Sequence, residues 1–231
     1  MITEAIEDRL LFDLIGEVRG RAVLDVGCGE GALAIKLHEM GAAATGVDPS
    51  RDMLVAAQSR AESAQAAVGF ARAAGERLPF ATASFDVVLA KTVLCFVAEA
   101  QGMVDEMARV LRPGGRFVIG ELHKWSSWAA QRRLRGWFGS ALWRRGRFRT
   151  AEDLRRLAQE AGLEVETVRG AVYYPRSGTA ARLMAPFDAR IARLTTFGAA
   201  FLALAAVKPA VVMKTVSDTG AAALPLPANA P

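Results

Sequence analysis

Residues Asp25-Val26-Gly27-Cys28-Gly29-Glu30-Gly31 combine three alternating glycines with an acid two positions ahead of the first. Glycines at this spacing let the backbone turn sharply and let a ligand approach where a Cβ would clash. The pattern is G-x-G-x-G, not the G-x-G-x-x-G of a dinucleotide loop. A carboxylate at Asp25 would repel a pyrophosphate and would suit a cationic amino-acid ligand. A second acid, Asp48, follows Gly31 by 17 residues, a position from which a carboxylate accepts both hydroxyls of a ribose.

A ligand with a ribose and an ammonium but no phosphate is S-adenosylmethionine (SAM). Four segments, in this order, carry a wider likeness: VLDVGCGEG (23–31), GVDPS (46–50), ERLPFATASFDVV (76–88) and RVLRPGGRFVIGE (109–121). They resemble class I SAM-dependent methyltransferases, in style closest to the branch with the ubiquinone and menaquinone biosynthesis C-methyltransferases. The resemblance implies SAM as cofactor, with Gly27, Gly29 and Gly31 as its loop and Cys28 as a small residue within it. It implies that Asp25 contacts the methionine end, directly or through water, and that Asp48 holds the ribose. Pro49 and Met53 match positions after the second strand. Met53 would pack on the adenine, although core packing explains a methionine there equally well.

Two departures from the family pattern matter. Relatives read G-D-A-E before L-P-F, whereas here the stretch is Ala73-Ala74-Gly75-Glu76-Arg77-Leu78-Pro79-Phe80. Ala74 replaces the acid that holds the adenine amino group, which leaves backbone groups at Gly75 and Glu76 for that contact. Lys91 follows the fourth strand directly, at the edge where this fold binds ligands. It is expected to meet the methionine carboxylate or the substrate, or to reach solvent.

Methyl transfer from a sulfonium is an in-line displacement that rests on alignment and exclusion of water. A hydroxyl or acidic-carbon acceptor also needs a base. His123, just past the fifth strand, is the candidate catalytic base, with Glu121 to orient it; the bland alternative is a loop histidine facing solvent. His38, late in a surface helix, is structural, and Cys95 is a small buried side chain. With two cysteines and two histidines in the chain, no metal site is expected.

These groups need a scaffold. Short apolar runs at 21–26, 42–48, 68–73, 85–90 and 116–122 alternate with amphipathic segments at 31–40, 50 onward and 98–111, after a first helix over 2–18. That alternation implies βαβ units and a parallel sheet with helices on both faces. With strands at 163–174 and 197–207 and a helix at 151–161, the expectation is α/β. It is a doubly wound, Rossmann-like seven-stranded sheet, mostly parallel, with one antiparallel C-terminal strand. One domain is expected over 1–207, followed by a poorly ordered tail over 208–231.

Residues 124–149 stand apart. They hold eight Lys/Arg, no Asp/Glu, and all four tryptophans: Trp125, Trp128, Trp137 and Trp143. The net charge of +5 is therefore local to this segment. Two amphipathic stretches are expected, around Trp125–Arg132 and Leu134–Leu142. The preferred reading is a cap over the pocket of a small apolar or aromatic acceptor, tryptophans inward and arginines outward. The second reading is a membrane-surface contact, as for a lipid or quinone acceptor, and the third, disfavoured for want of any adjoining nucleic-acid module, is nucleic acid. Tyr173, Tyr174 and Arg176 would close the same pocket or cover the sheet edge.

Hydrophobic residues make up 52% and charged residues 23%, which excludes a disordered chain, a collagen and a coiled coil. The longest apolar run, 197–207, has 11 residues, against the ~20 of a membrane span. The opening MITEAIEDRL is acidic and lacks the apolar core of a signal peptide, so a cytoplasmic protein is expected, peripheral at the membrane in the second reading. The competing functions are an NAD-dependent oxidoreductase, opposed by the glycine spacing and Asp25, and a SAM-binding protein without catalysis, kept open by Ala74 and Lys91.

Overall fold

The β-branched and aliphatic runs form the strands, and glycine or proline stops each of the first two. The computed structural model describes residues 2–140, 143, 144, 146–174, 184, 187, 188, 190–192 and 195–210. Its strands are β1 (Ala22–Val26), β2 (Ala43–Asp48), β3 (Gly69–Arg72), β4 (Phe85–Lys91), β5 (Leu111–Leu122), β6 (Glu164–Ala171) and β7 (Phe201–Val207). The helices are α1 (Ile2–Ile15), α2 (Ala32–Glu39), α3 (Arg51–Ser63), α4 (Ala100–Val110), α5 (Ser127–Trp137) and α6 (Ala151–Glu160). The sheet order is β3-β2-β1-β4-β5-β7-β6, parallel except for β7, which runs antiparallel to both β5 and β6. The expected α/β class and mixed seven-stranded sheet are therefore present.

Central strands of such a sheet are covered on both faces, so they read as unbroken apolar runs. Val87, Val88, Leu89 and Ala90 are all fully buried. On one face Leu24, Val88, Phe117 and Ile119 pack against Met103 and Met107 of α4 and Leu154 of α6. On the other, Val23, Leu89 and Val118 meet Leu11, Leu14 and Ile15 of α1, Leu33 and Leu37 of α2, and Trp128 of α5. Helix α6 begins with a full capping box: the Thr150 hydroxyl accepts from the Asp153 N–H and the Asp153 carboxylate accepts from the Thr150 N–H. Such a cap contributes about 1 kcal/mol.

Several boundaries differ from expectation: α1 ends at Ile15 rather than 18 and the last strand starts at Phe201 rather than 197, and three further differences have a visible cause or consequence. Pro113-Gly114-Gly115 is not a turn ahead of β5 but an irregularity within it, where the register steps from Phe85–Leu111 to Val87–Arg116. The predicted strand over 163–174 ends at Ala171, because Val172 adopts a positive φ of 65°. The two oxygens of buried Asp188 take the N–H groups of Val172 and Tyr173 (2.9 and 2.8 Å). The segment predicted as tail starts with a pinned residue: the Lys208 ammonium donates to the carbonyls of Ala108 and Leu111 (2.7 and 2.8 Å). Positions 211–231 of that segment lie outside the described residues.

Candidate functional site

Strand order reverses between β1 and β4, which opens a crevice at their carboxyl ends. The residues singled out by type and spacing converge there from β1, β2, β4 and the loop after β1. The loop is drawn onto β2, since the N–H groups of Gly27 and Cys28 both donate to the Val47 carbonyl (2.7 and 2.9 Å). Gly27 and Gly31 have a φ of 74° and no room for a side chain: a Cβ on Gly27 would sit 2.4 Å from Val93 Cγ2, and one on Gly31 2.8 Å from Phe70 Cζ. Gly29 differs. Its φ is 53° and nothing lies within 4 Å of its Cβ direction, so its backbone faces open space.

Asp48 is locked by its own surroundings. One oxygen accepts from the Gly29 N–H (3.0 Å) and the other from the Ser50 N–H (2.8 Å). Each oxygen keeps a further lone pair for a ligand hydroxyl. Asp25 is 2% exposed, and its Oδ2 has no hydrogen-bond partner among the described residues. Burial, then the neighbouring Asp48 charge, pushes its carboxyl up to about 7 against the pull of the Lys91 ammonium.

Asp25 and Gly27 line a cavity of ≈ 160 Å³ together with Glu4 and Asp8 of α1, Lys36 of α2 and Lys91 of β4. Typical small-ligand pockets span ~300–1,000 Å³, so this enclosure suits one end of a ligand. The acids of α1 are the part of the site that sequence reasoning missed. Lys91 pairs with Asp8 (2.6 Å) and Glu7 (3.6 Å), and the other oxygen of Asp8 pairs with Lys36. Burial pushes the Asp8 carboxyl up, but the Lys36 and Lys91 ammoniums outweigh it and hold it below the usual range. Lys91 is thus not the solvent-reaching lysine of the bland reading. It ties β4 to α1 across the cavity.

At the end of β5, Glu121 and His123 are both buried. His123 is 3% exposed, which corrects the alternative of a solvent-facing loop histidine. Its Nδ1 lies 3.0 Å from the Ala199 carbonyl. A carbonyl only accepts, so Nδ1 carries the proton and Nε2 the free lone pair. Burial lowers the imidazole pKa below its ordinary value, so the ring is neutral near pH 7. Glu121 does not orient this ring. Its Oε1 accepts the N–H groups of Val93 and Leu94 (2.8 and 2.7 Å) and so holds the turn that crowds Gly27. Burial pushes its carboxyl up to about 7, against the opposing pull of the Leu94 N–H and Arg149.

Asp25 and Glu121 have folded pKa values above their unfolded ones. Their contribution to stability is therefore full below about pH 4 and lost as pH rises through about 7. The thermal midpoint of the ligand-free protein is expected to fall between about pH 5.5 and about pH 8.5, and Glu121→Gln to flatten that fall. A variant whose midpoint follows the wild-type curve would remove Glu121 as its cause.

The other candidates are more peripheral. Met53 is 43% exposed at the start of α3, so it is not a core methionine. Pro49 is exposed, and its carbonyl accepts from Arg72. Gly75 packs beneath Met103, whose Cγ lies 2.8 Å from the Cβ direction, and Glu76 is exposed. Cys28 packs on Gly46, and burial pushes the Cys28 and Cys95 thiols well up, so neither is a nucleophile. No group of metal-ligating side chains exists among the described residues.

Among the described residues of the basic segment, helix α5 runs unbroken from the first expected stretch into the second; positions 141 and 142 of the second stretch lie outside the described residues. Trp128 turns inward and donates to the Tyr174 carbonyl (2.7 Å). The Arg132 guanidinium stacks on Trp128 and Trp143 (5.5 and 5.0 Å). Trp125 and Trp137 point outward, contrary to the inward expectation for all four. Tyr174 is buried, Tyr173 donates to the Thr195 carbonyl, and Arg176 lies outside the described residues. Among the described residues no helix is long and apolar enough to cross a membrane.

Residues 24–119 match the family described as "Methyltransferase domain". A ubiquinone biosynthesis O-methyltransferase of Idiomarina loihiensis is 32% identical over 165 residues, 69% of this chain and 68% of that protein. The chain spans about two thirds of the length of such curated relatives. Among solved structures, a SAM-dependent methyltransferase of Thermotoga maritima, described as a possible histamine N-methyltransferase, has a TM-score of 0.69 at 21% identity. That match covers 90% of each chain. The magnesium protoporphyrin IX methyltransferase of Synechocystis, solved with bound S-adenosylhomocysteine, has a TM-score of 0.64 at 21% identity, covering 90% of this chain and 85% of that one.

Proposed function

This chain belongs to the class I SAM-dependent methyltransferases, with SAM as cofactor, and we propose that it methylates a hydroxyl on a small apolar or aromatic acceptor. The observation that carries the placement of the cofactor is Asp25: a buried carboxylate with one unpaired oxygen, beside a glycine open to ligand. An unpaired buried acid is costly, and the ammonium of the methionine end supplies its partner. Asp48, oriented by two backbone N–H groups, accepts the ribose hydroxyls. Exposed Met53 covers the adenine from one side, with the backbone of Gly75 and Glu76 on the other. Lys91, on the cavity wall, meets the methionine carboxylate.

SAM supplies an electrophilic methyl group, so the chain needs no nucleophile of its own. Its residues align and shield. Glu121 fixes the Val93-Leu94 turn against Gly27, and α1 closes the methionine end behind Asp8. His123 takes the acceptor proton at Nε2, its ring held by the Ala199 carbonyl and neutral at working pH. The O-methyltransferase relatives favour oxygen as the acceptor atom.

Asp48→Ala is expected to weaken SAM binding by about 1–3 kcal/mol, since two hydrogen bonds to a charged acceptor disappear. Titration calorimetry checks this, and unchanged affinity would remove Asp48 from the site. The reaction itself is tested with methyl-labelled SAM and a panel of phenols, catechols, amines and thiols. Label extracted into a methoxy product is the expected result. Label carried only by amines or thiols would overturn the hydroxyl assignment.

A further inference from the structure

The two most exposed large apolar side chains among the described residues are adjacent: Trp137 at 87% and Phe138 at 83%. At 3.6 residues per turn, Ala130, Leu134 and Trp137 stack along one stripe of α5, and Phe138 caps its end. All four are exposed, while Trp128, Ala129 and Gly136 bury the opposite side. Arg133 and Arg135 leave the helix on either flank of the stripe and are exposed. The helix is therefore apolar on two sides, and the core uses only one of them.

Monomeric proteins rarely expose a contiguous apolar stripe without a partner for it. The chemistry here names the partner. Residues 124–149 bring eight basic side chains and no acid, and exposed Trp125 carries the Lys124 ammonium over its ring (5.3 Å). Tryptophan and phenylalanine flanked by arginines match a headgroup–acyl boundary, where rings enter the boundary and guanidiniums meet lipid phosphates. A nucleic acid would leave the Leu134–Phe138 stripe in water.

We propose that the outer face of α5 docks the protein on an anionic phospholipid bilayer. Topology adds an orientation. Helix α5 follows the carboxyl end of β5. Exposed Phe96 follows β4, and exposed Phe197 precedes antiparallel β7. All of them stand at the sheet edge where the glycine loop opens. Docking through this edge turns the site toward the membrane, and the acceptor of the proposed reaction is then a lipid-dissolved molecule. That last consequence rests on the methyltransferase reading; the docking does not.

The test is co-sedimentation of the full chain with vesicles of phosphatidylcholine alone or with ~30% phosphatidylglycerol. Partition onto the anionic vesicles is expected to be roughly thirtyfold stronger, the worth of about two surface cations, and to drop at ~0.5 M salt. Trp137→Ala/Phe138→Ala and, separately, Arg135→Glu each lower partition by about tenfold or more, with SAM titration and thermal midpoint unchanged. Wild type that stays in the supernatant, binding indifferent to phosphatidylglycerol, or variants that sediment like wild type would overturn the proposal. So would a lipid-free dimer that Trp137→Ala dissociates, since a second copy would then be the occupant. SAM titration, run alongside, reports on the catalytic reading independently.

Discussion

Replacing His123 by alanine lowers turnover by ~10²–10⁴ while leaving SAM affinity unchanged, the expected loss of a positioned base. The geometry behind this is specific. The Ala199 carbonyl fixes the ring through Nδ1, and burial keeps the imidazole neutral by lowering its pKa. The base works in its neutral form, so turnover rises with pH through a pKa below 6.5 and is flat above it. Removing a buried ring also leaves a cavity. His123→Gln therefore accompanies the alanine variant: it fills the space and keeps a donor for Ala199, yet offers no base. Single-turnover rates at saturating SAM, below the melting range of each variant, separate chemistry from folding. Full turnover in His123→Gln would show that alignment alone carries the reaction.

Asp25→Asn weakens SAM binding by about 1.5–3 kcal/mol, or roughly 10–150-fold, since a buried charge-assisted hydrogen bond becomes a neutral one. The wild-type group sits at about 7 without ligand. Binding an ammonium needs the ionised form, so SAM affinity falls as pH drops through about 7 and binding releases a proton there. The asparagine variant loses that dependence. It also stabilises the ligand-free protein above about pH 7, where the wild type carries an unpaired buried charge. Equal SAM affinity in variant and wild type at about pH 8 would place the ammonium elsewhere.

The contrast between Asp25 and Asp8 shows what one chain discloses before folding. Asp25 and Asp48 flank a glycine loop on consecutive strands, so the roles proposed for them follow from local spacing and from the rule that ligands bind at strand carboxyl ends. Asp8 reaches Lys91 across 83 residues. In a helix recognised by its apolar spacing, an acid looks like any solvated charge, and only tertiary packing turns it into a wall of the cavity. Glu121 was legible as an acid beside His123, but its bonds run to backbone N–H groups of Val93 and Leu94, which no side-chain pattern encodes. The tryptophans of α5 fail for a related reason. Helical spacing sorts residues into stripes, and α5 has an apolar stripe on each side. The partner of Trp128, the Tyr174 carbonyl, decides which stripe turns inward. Strand β6 ends early because Asp188 captures two N–H groups from outside the strand. Alternation of strands and helices, in contrast, was enough for the parallel core, since βαβ connections leave few other ways to bury both faces.

The most direct test of the whole assignment is a crystal structure of the chain with S-adenosylhomocysteine. The predicted result places the ligand ammonium within ~2.7–3.2 Å of Asp25 Oδ2 and both ribose hydroxyls on the Asp48 carboxylate, with Gly29 against the ligand backbone. A ligand bound away from the β1–β4 crevice, or one that leaves Asp25 Oδ2 unpaired, would contradict it.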